Sequence, residues 1–129
     1  MATYLLDTSV IIDAINDKNN RRQFLRDLLQ ADNALACCPV NVAEIYAGVR
    51  PKEEPSTTAF LSTLEYYPIS FATSRLAGEL KRDFRKKGKT LSLTDTLIAA
   101  TALTHRLPLI TDNTKDFPMP DLTLYPLPN

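Results

Sequence analysis

Short apolar runs alternate with stretches of helical periodicity along the whole chain, and this alternation constrains the fold more than any single residue does. Residues 3–6 (Thr-Tyr-Leu-Leu) read as a buried strand that runs into Asp7-Thr8-Ser9 and the apolar Val10-Ile11-Ile12, as where a strand turns into a helix. Phe24, Leu25, Leu28 and Leu29 repeat at helical spacing between charged residues, which predicts an amphipathic helix over 21–31. The run 34–38 supplies a second strand, Pro39 opens a largely apolar helix to about Val49, and a helix around 56–65 carries Phe60, Leu61 and Leu64. Residues 66–70 form a third strand that Pro68 confines to an edge or a strand end. Leu76, Leu80 and Phe84 recur every four residues in a helix of 71–87, closed by Gly88. Thr94-Asp95 then opens a helix that is apolar nearly all round, Leu107–Ile110 is a strand ending at Thr111-Asp112-Asn113, and 122–127 offers a last edge strand. Strands alternating with helices imply an α/β sandwich with a mainly parallel sheet. In such sheets ligands bind beyond the carboxyl ends of the strands.

Scarce residues exclude whole classes of function. The chain has 129 residues, one domain's length at ~100–200 residues per domain, so residues 1–129 are read as a single domain. Its only glycines, Gly48, Gly78 and Gly88, are too few and too scattered for a dinucleotide-binding loop or a P-loop. One histidine, His105, and two cysteines, Cys37 and Cys38, cannot build a closed Cys/His zinc site, so any metal must be held by oxygen. The adjacent cysteines sit in an apolar run and read as small core residues, which suits a reducing cytoplasm. No basic leader, long apolar segment or lipidation motif is present, so a soluble cytoplasmic protein without a membrane partner is expected. Fifteen Lys+Arg balance fifteen Asp+Glu, so a nucleic-acid partner would have to rest on uneven placement of charge.

The carboxylates fall at informative places. Asp7 follows the first strand and Asp112 a late one, which brings both to the same edge of an open α/β sheet. Asp7 also serves as a helix N-cap, a role compatible with ligation, and Ser92-x-x-Asp95 has capping-box spacing. Glu44 lies in a helix without Lys, Arg or His, on a face with Val40, Ala47 and Gly48 as neighbours. A carboxylate held away from water there needs a positive partner, either a distant arginine or a cation. Asp7, Glu44, Asp95 and Asp112 together supply the oxygen cage that a hard cation such as Mg²⁺ or Mn²⁺ takes, with waters and substrate phosphate oxygens completing it. A metal so held acidifies and orients a water for attack on phosphorus, and histidine is then unnecessary. His105, at the end of an apolar helix, reads as a capping or surface residue.

These residues resemble the PIN-domain ribonucleases, and most closely the VapC toxins of type II toxin–antitoxin pairs. The resemblance covers nearly the whole chain. It rests on Leu6-Asp7-Thr8-Ser9-Val10-Ile11-Ile12-Asp13, Val42-Ala43-Glu44-Ile45-Tyr46-Ala47-Gly48, Leu93-Thr94-Asp95-Thr96-Leu97-Ile98-Ala99-Ala100-Thr101-Ala102 and Leu109-Ile110-Thr111-Asp112-Asn113-Thr114-Lys115-Asp116-Phe117, in that order. It implies a PIN-like three-layer sandwich, Mg²⁺ or Mn²⁺ dependence, endoribonuclease activity on tRNA or other structured RNA, homodimerisation, and inhibition by a VapB-like antitoxin. It also implies that Asp7, Glu44 and Asp95 are the core metal acids, with Thr8 or Ser9 and Thr111 as hydroxyls near the metal water and phosphate. The fourth acid departs from the family pattern. Two residues after Thr111 stands Asn113, with Asp112 one residue before it and Asp116 three after. A neutral amide there predicts one firmly held cation and a second that arrives only with substrate.

An RNA-binding surface on a neutral protein needs a local basic patch. Lys81-Arg82-Asp83-Phe84-Arg85-Lys86-Lys87-Gly88-Lys89 is the densest, and Arg85, Lys86 and Lys87 are its candidate phosphate contacts, with Arg21, Arg22, Arg26 and Arg50 as others. The same cations also complement a helix C-terminus. Two alternatives stand beside the nuclease. A receiver-like phosphoryl-transfer domain accounts for acids at strand ends and for Lys115, but not for Glu44. A non-catalytic PIN interaction module keeps the fold and offers its acids to a partner's arginines.

Overall fold

The computed structural model describes residues 1–128; Asn129, the last residue of the expected domain, lies outside them. Five strands, β1 (Thr3–Leu6), β2 (Ala34–Cys37), β3 (Glu65–Tyr66), β4 (Leu109–Ile110) and β5 (Leu124–Tyr125), form one sheet in the order β3-β2-β1-β4-β5. Every pairing is parallel. From central β1 the chain builds outward through β2 to β3, then crosses back to place β4 and β5 on the other side. The switch point of the winding therefore lies between β1 and β4, where Leu6 pairs with Ile110.

Helices α1 (Thr8–Ile15), α2 (Arg21–Gln30), α3 (Pro39–Gly48), α4 (Glu54–Leu61), α5 (Phe71–Lys86) and α6 (Leu93–His105) cover the two faces. Strand side chains alternate between faces. Leu5, Ala36 and Leu109 join Ile98, Ala99 and Ala102 of α6 in one core, and Leu6, Leu35, Cys37 and Ile110 join Val10, Ile11, Leu25, Leu28 and Ile45 in the other. Helix α6 is buried over most of its circumference, as its apolar composition demands. Both cysteines are free and buried. No helix among the described residues is long and apolar enough to cross a membrane.

The elements follow the sequence pattern, with shifted boundaries. Helix α4 begins two residues before the expected 56 and is entered through a 3-10 turn at Pro51–Glu53. The third strand is shorter than 66–70: Tyr67 still donates to the Cys37 carbonyl (2.9 Å), after which Pro68 has no N–H to give. It does lie at an edge, as does β5, where Pro126 stops the ladder after Tyr125. Gly88 closes α5 at φ 84°, a left-handed conformation suited to glycine.

Candidate functional site

Asp7 is the hub of the sheet's carboxyl edge. Its own N–H donates to the Ile110 carbonyl (2.9 Å), which carries the β1/β4 ladder one residue past the strand and brings Asp7 against the exit of β4. The carboxylate caps α1, accepting the Thr8 N–H at Oδ1 (2.9 Å), and accepts the Thr111 hydroxyl at Oδ2 (2.7 Å). Thr111 is buried, and its oxygen also accepts the Asn113 N–H (3.0 Å), so the residue is committed to orienting Asp7 and the turn after β4.

Glu44 comes to the same edge from α3. Its Oε1 accepts the Thr8 hydroxyl (2.7 Å), and Thr8 Oγ1 in turn accepts from Asn41 Nδ2 (3.0 Å). One expectation is corrected here: Glu44 is exposed, not held away from water. Helix α3 packs through Val40, Asn41 and Ile45, while the small residues Ala43, Ala47 and Gly48 leave Glu44 on the open side. Asn41, fully buried, was missed by the sequence reading. The available signal was its capping-box spacing from Cys38, whose N–H it accepts (2.8 Å).

Asp95 stands in the first turn of α6, where Ser92 Oγ accepts its N–H (3.1 Å). Burial holds the Asp7 and Asp95 carboxyls above the ordinary aspartate range. For Asp7 the Thr111 and Thr8 hydrogen bonds oppose this, and the charges of Asp95 and Glu44 add to it. For Asp95 the Ser92 bond opposes it, and the charges of Asp116 and Glu44 add to it. Asp7, Glu44, Asp95 and Asp116 thus form one electrostatic group.

Asp112, expected as the fourth member, is engaged by an arginine. Its Oδ1 accepts from Arg21 Nη2 at 2.6 Å. This corrects Arg21 as well, which is buried rather than part of a basic surface. Ser9 Oγ is buried and has no partner among the described residues. His105 is exposed at the far end of α6, about 15 Å of helix from Asp95, with its ring against Tyr67.

The basic run lies at the same edge as the acids. Arg85, Lys86 and Lys87 are exposed in the last turn of α5 and just beyond it, and Lys87 Nζ sits 5.3 Å from the centre of the Phe84 ring. Lys81 donates to the Leu91 carbonyl, which holds the α5–α6 loop against α5, and Lys89 donates to the Lys115 carbonyl (3.0 Å), which fastens that loop to the turn that carries Asp116.

The donor set suits a hard cation. Among the described residues no Lys, Arg or His pairs within 4 Å with Asp7, Glu44, Asp95 or Asp116, so their mutual repulsion is unrelieved. Nor do any three Asp, Glu, His or Cys side chains among those residues close into a ready-made cage. Mg²⁺ needs none, since it keeps several waters and takes one or two carboxylates.

Fold and site define a doubly wound parallel α/β protein whose carboxylates gather beyond the switch point of its sheet. The PIN domain family matches residues 4–119. Ribonuclease VapC19 of Mycobacterium tuberculosis is 31% identical over 92% of this chain and 95% of its own length, and Ribonuclease VapC2 of Rickettsia felis is 31% identical over 94% and 95%. The crystal structure of VapBC2 from Rickettsia felis bound to a DNA fragment from their promoter superposes with a TM-score of 0.84 at 28% identity, covering 95% of this chain and 97% of that one. The chain belongs to the PIN-domain family, in its VapC branch.

Proposed function

We propose that the chain is a divalent-metal-dependent endoribonuclease, the toxin of a toxin–antitoxin pair, which hydrolyses phosphodiester bonds in tRNA or other structured RNA. The observation that carries this reading is the Asp7 carboxylate, oriented by Thr8 and Thr111 and crowded by Glu44 and Asp95, with no Lys, Arg or His among the described residues paired to it. Asp7, Glu44 and Asp95 would hold Mg²⁺ or Mn²⁺, with Asp116 as fourth acid in place of Asp112 and the Asn113 side-chain carbonyl as a neutral donor. When bound, such an ion lowers the pKa of a water and neutralises charge on the departing oxygen. The chain's own share is to fix the carboxylates before substrate arrives, through Thr111 on Asp7 and Thr8 on Glu44. Arg85, Lys86 and Lys87 attract the RNA backbone to the edge where those carboxylates lie. The names of the relatives support the ribonuclease reading. The receiver-like alternative is not favoured: a threonine hydroxyl, not a lysine, holds Asp7.

A VapB-like antitoxin partner fits the VapBC assembly of the structural relative. A homodimer and a cytoplasmic location belong to the same reading. Light scattering of the partner-free protein that returns twice the 14.4 kDa chain mass supports the dimer, and the chain mass alone removes it. Activity is tested by incubating that protein with tRNA and Mg²⁺ or Mn²⁺. Cleavage that EDTA and Asp7→Asn both abolish is expected; cleavage that survives both overturns the proposal.

A further inference from the structure

We propose that Asn41 is a positioning residue for Glu44, acting through the hydroxyl of Thr8; the inference rests on Glu44 being a metal carboxylate, as proposed above. The side chain is fully buried and makes three hydrogen bonds: Oδ1 accepts the Cys38 N–H (2.8 Å), and Nδ2 donates to the Leu6 carbonyl (3.1 Å) and to Thr8 Oγ1 (3.0 Å). These partners fix which way the amide faces. A flipped amide would set its NH₂ against the Cys38 N–H and its oxygen against the Leu6 carbonyl, losing both bonds.

The consequence runs outward to the acid. Thr8 Oγ1 receives one amide proton from Asn41, so the single proton of its hydroxyl is directed at Glu44 Oε1, 2.7 Å away. Glu44 follows Asn41 by three residues on α3, so the two are neighbours on the helix surface, Asn41 buried and Glu44 at the open margin beside it. A purely structural amide needs only the bonds to Cys38 and Leu6, which pin the start of α3 to the end of β1. The third bond gives the chain Cys38, Asn41, Thr8, Glu44 a single direction of proton donation, ending on the carboxylate. It holds one oxygen of an otherwise solvent-facing side chain in place and leaves the other for a cation.

The test is the affinity of the purified, partner-free protein for Mn²⁺ alone, read from the electron paramagnetic resonance signal of the free ion, without RNA. Asn41→Ala is expected to raise Kd roughly tenfold, the scale typical of losing a group that orients a metal ligand. Thr8→Val is expected to match it, Thr8→Ser to stay within about twofold of the parent, and the Asn41→Ala/Thr8→Val double variant to add nothing to either single. Binding by the parent with an unchanged Kd for Asn41→Ala, or an additive double variant, overturns the inference. A parent that binds no Mn²⁺ overturns the metal reading itself and the inference with it. Should Asn41→Ala fail to fold, the Asn41 side-chain ¹⁵N resonances of the parent decide: they are expected to shift during a Mg²⁺ titration, and resonances that stay fixed at saturation overturn the proposal.

Discussion

Arg21 and Asp112 meet at 2.6 Å across 91 residues of sequence, and the pair ties the start of α2 to the exit of β4. The guanidinium is committed on three sides, since its Nη1 also donates to the carbonyls of Asn19 (3.0 Å) and Pro128 (3.1 Å). The arginine side chain is 9% exposed and the aspartate 29%, so removing the acid leaves a desolvated cation without its counterion. Asp112→Ala is therefore expected to destabilise the protein by about 2–3 kcal/mol in urea unfolding, somewhat below the loss for a fully buried pair. Its Mn²⁺ affinity is expected to stay within about twofold of the parent, whereas Asp116→Ala weakens binding. A stable Asp112→Ala protein with tenfold weaker Mn²⁺ binding would return Asp112 to the metal site.

Asp7 carries the opposite stability signature. Its folded pKa lies above its unfolded one, first because of burial, so the folded state holds its proton more tightly than the unfolded state does. Stability from this group is thus lost as pH rises from the ordinary aspartate value of 3.8 through the raised folded value, and the penalty persists above it. Asp7→Asn removes the charge, and the asparagine amide can still bond Thr8 and Thr111. At pH 7 the metal-free variant is expected to melt above the parent by calorimetry, with the difference fading once pH falls below the ordinary aspartate value. Mg²⁺ at a hundred times its Kd should stabilise the parent by about 2.7 kcal/mol and the variant far less. A variant that melts lower at pH 7 would mean that Asp7 is a structural cap and no more.

The periodicity of the chain sufficed for the sheet and helix order, because buried runs such as Leu5-Leu6 and Leu109-Ile110 have only one way to be covered on both faces. The carboxyl-edge placement of Asp7 followed from the same rule. The exposure of Glu44 was not legible: an apolar helix in sequence does not reveal that its small residues mark the open side rather than the packed one. The pairing of Asp112 was hidden for a different reason. It depends on Arg21, a distant residue that reads as surface until its buried partners are known. Asn41 was hidden because its capping spacing explains it fully unless the bond to Thr8 is seen.

The balance of fifteen cations and fifteen acids conceals two patches of opposite sign at one edge. Lys81 and Lys89 fasten the α5–α6 loop to its surroundings, while Arg85, Lys86 and Lys87 remain exposed. Replacing these three with alanine is expected to weaken RNA binding and to reduce the slope of log K against log salt by about 2, near the value for three released counterions. Filter binding at several salt concentrations measures the slope. An unchanged slope would leave the cluster only its role at the helix terminus.

On the proposed metal reading, the turn after β4 is expected to set how many cations the site holds without substrate. Asn113 stands two residues after Thr111, where the family resemblance implies an acid, and its backbone N–H is already turned to Thr111. An amide carbonyl can coordinate, but it offers no charge to offset the repulsion between two divalent ions. Asp116, beyond the 3-10 turn at Thr114–Asp116, is near enough to Asp95 to raise its pKa, so the remaining acids form one group rather than two. Substrate-free crystals soaked in Mn²⁺ are therefore expected to show one strong anomalous peak, with a second appearing once an uncleavable RNA supplies phosphate oxygens. Asn113→Asp should bring in the second ion without RNA. Two full-occupancy peaks in the substrate-free parent would show that the neutral amide does not limit the site.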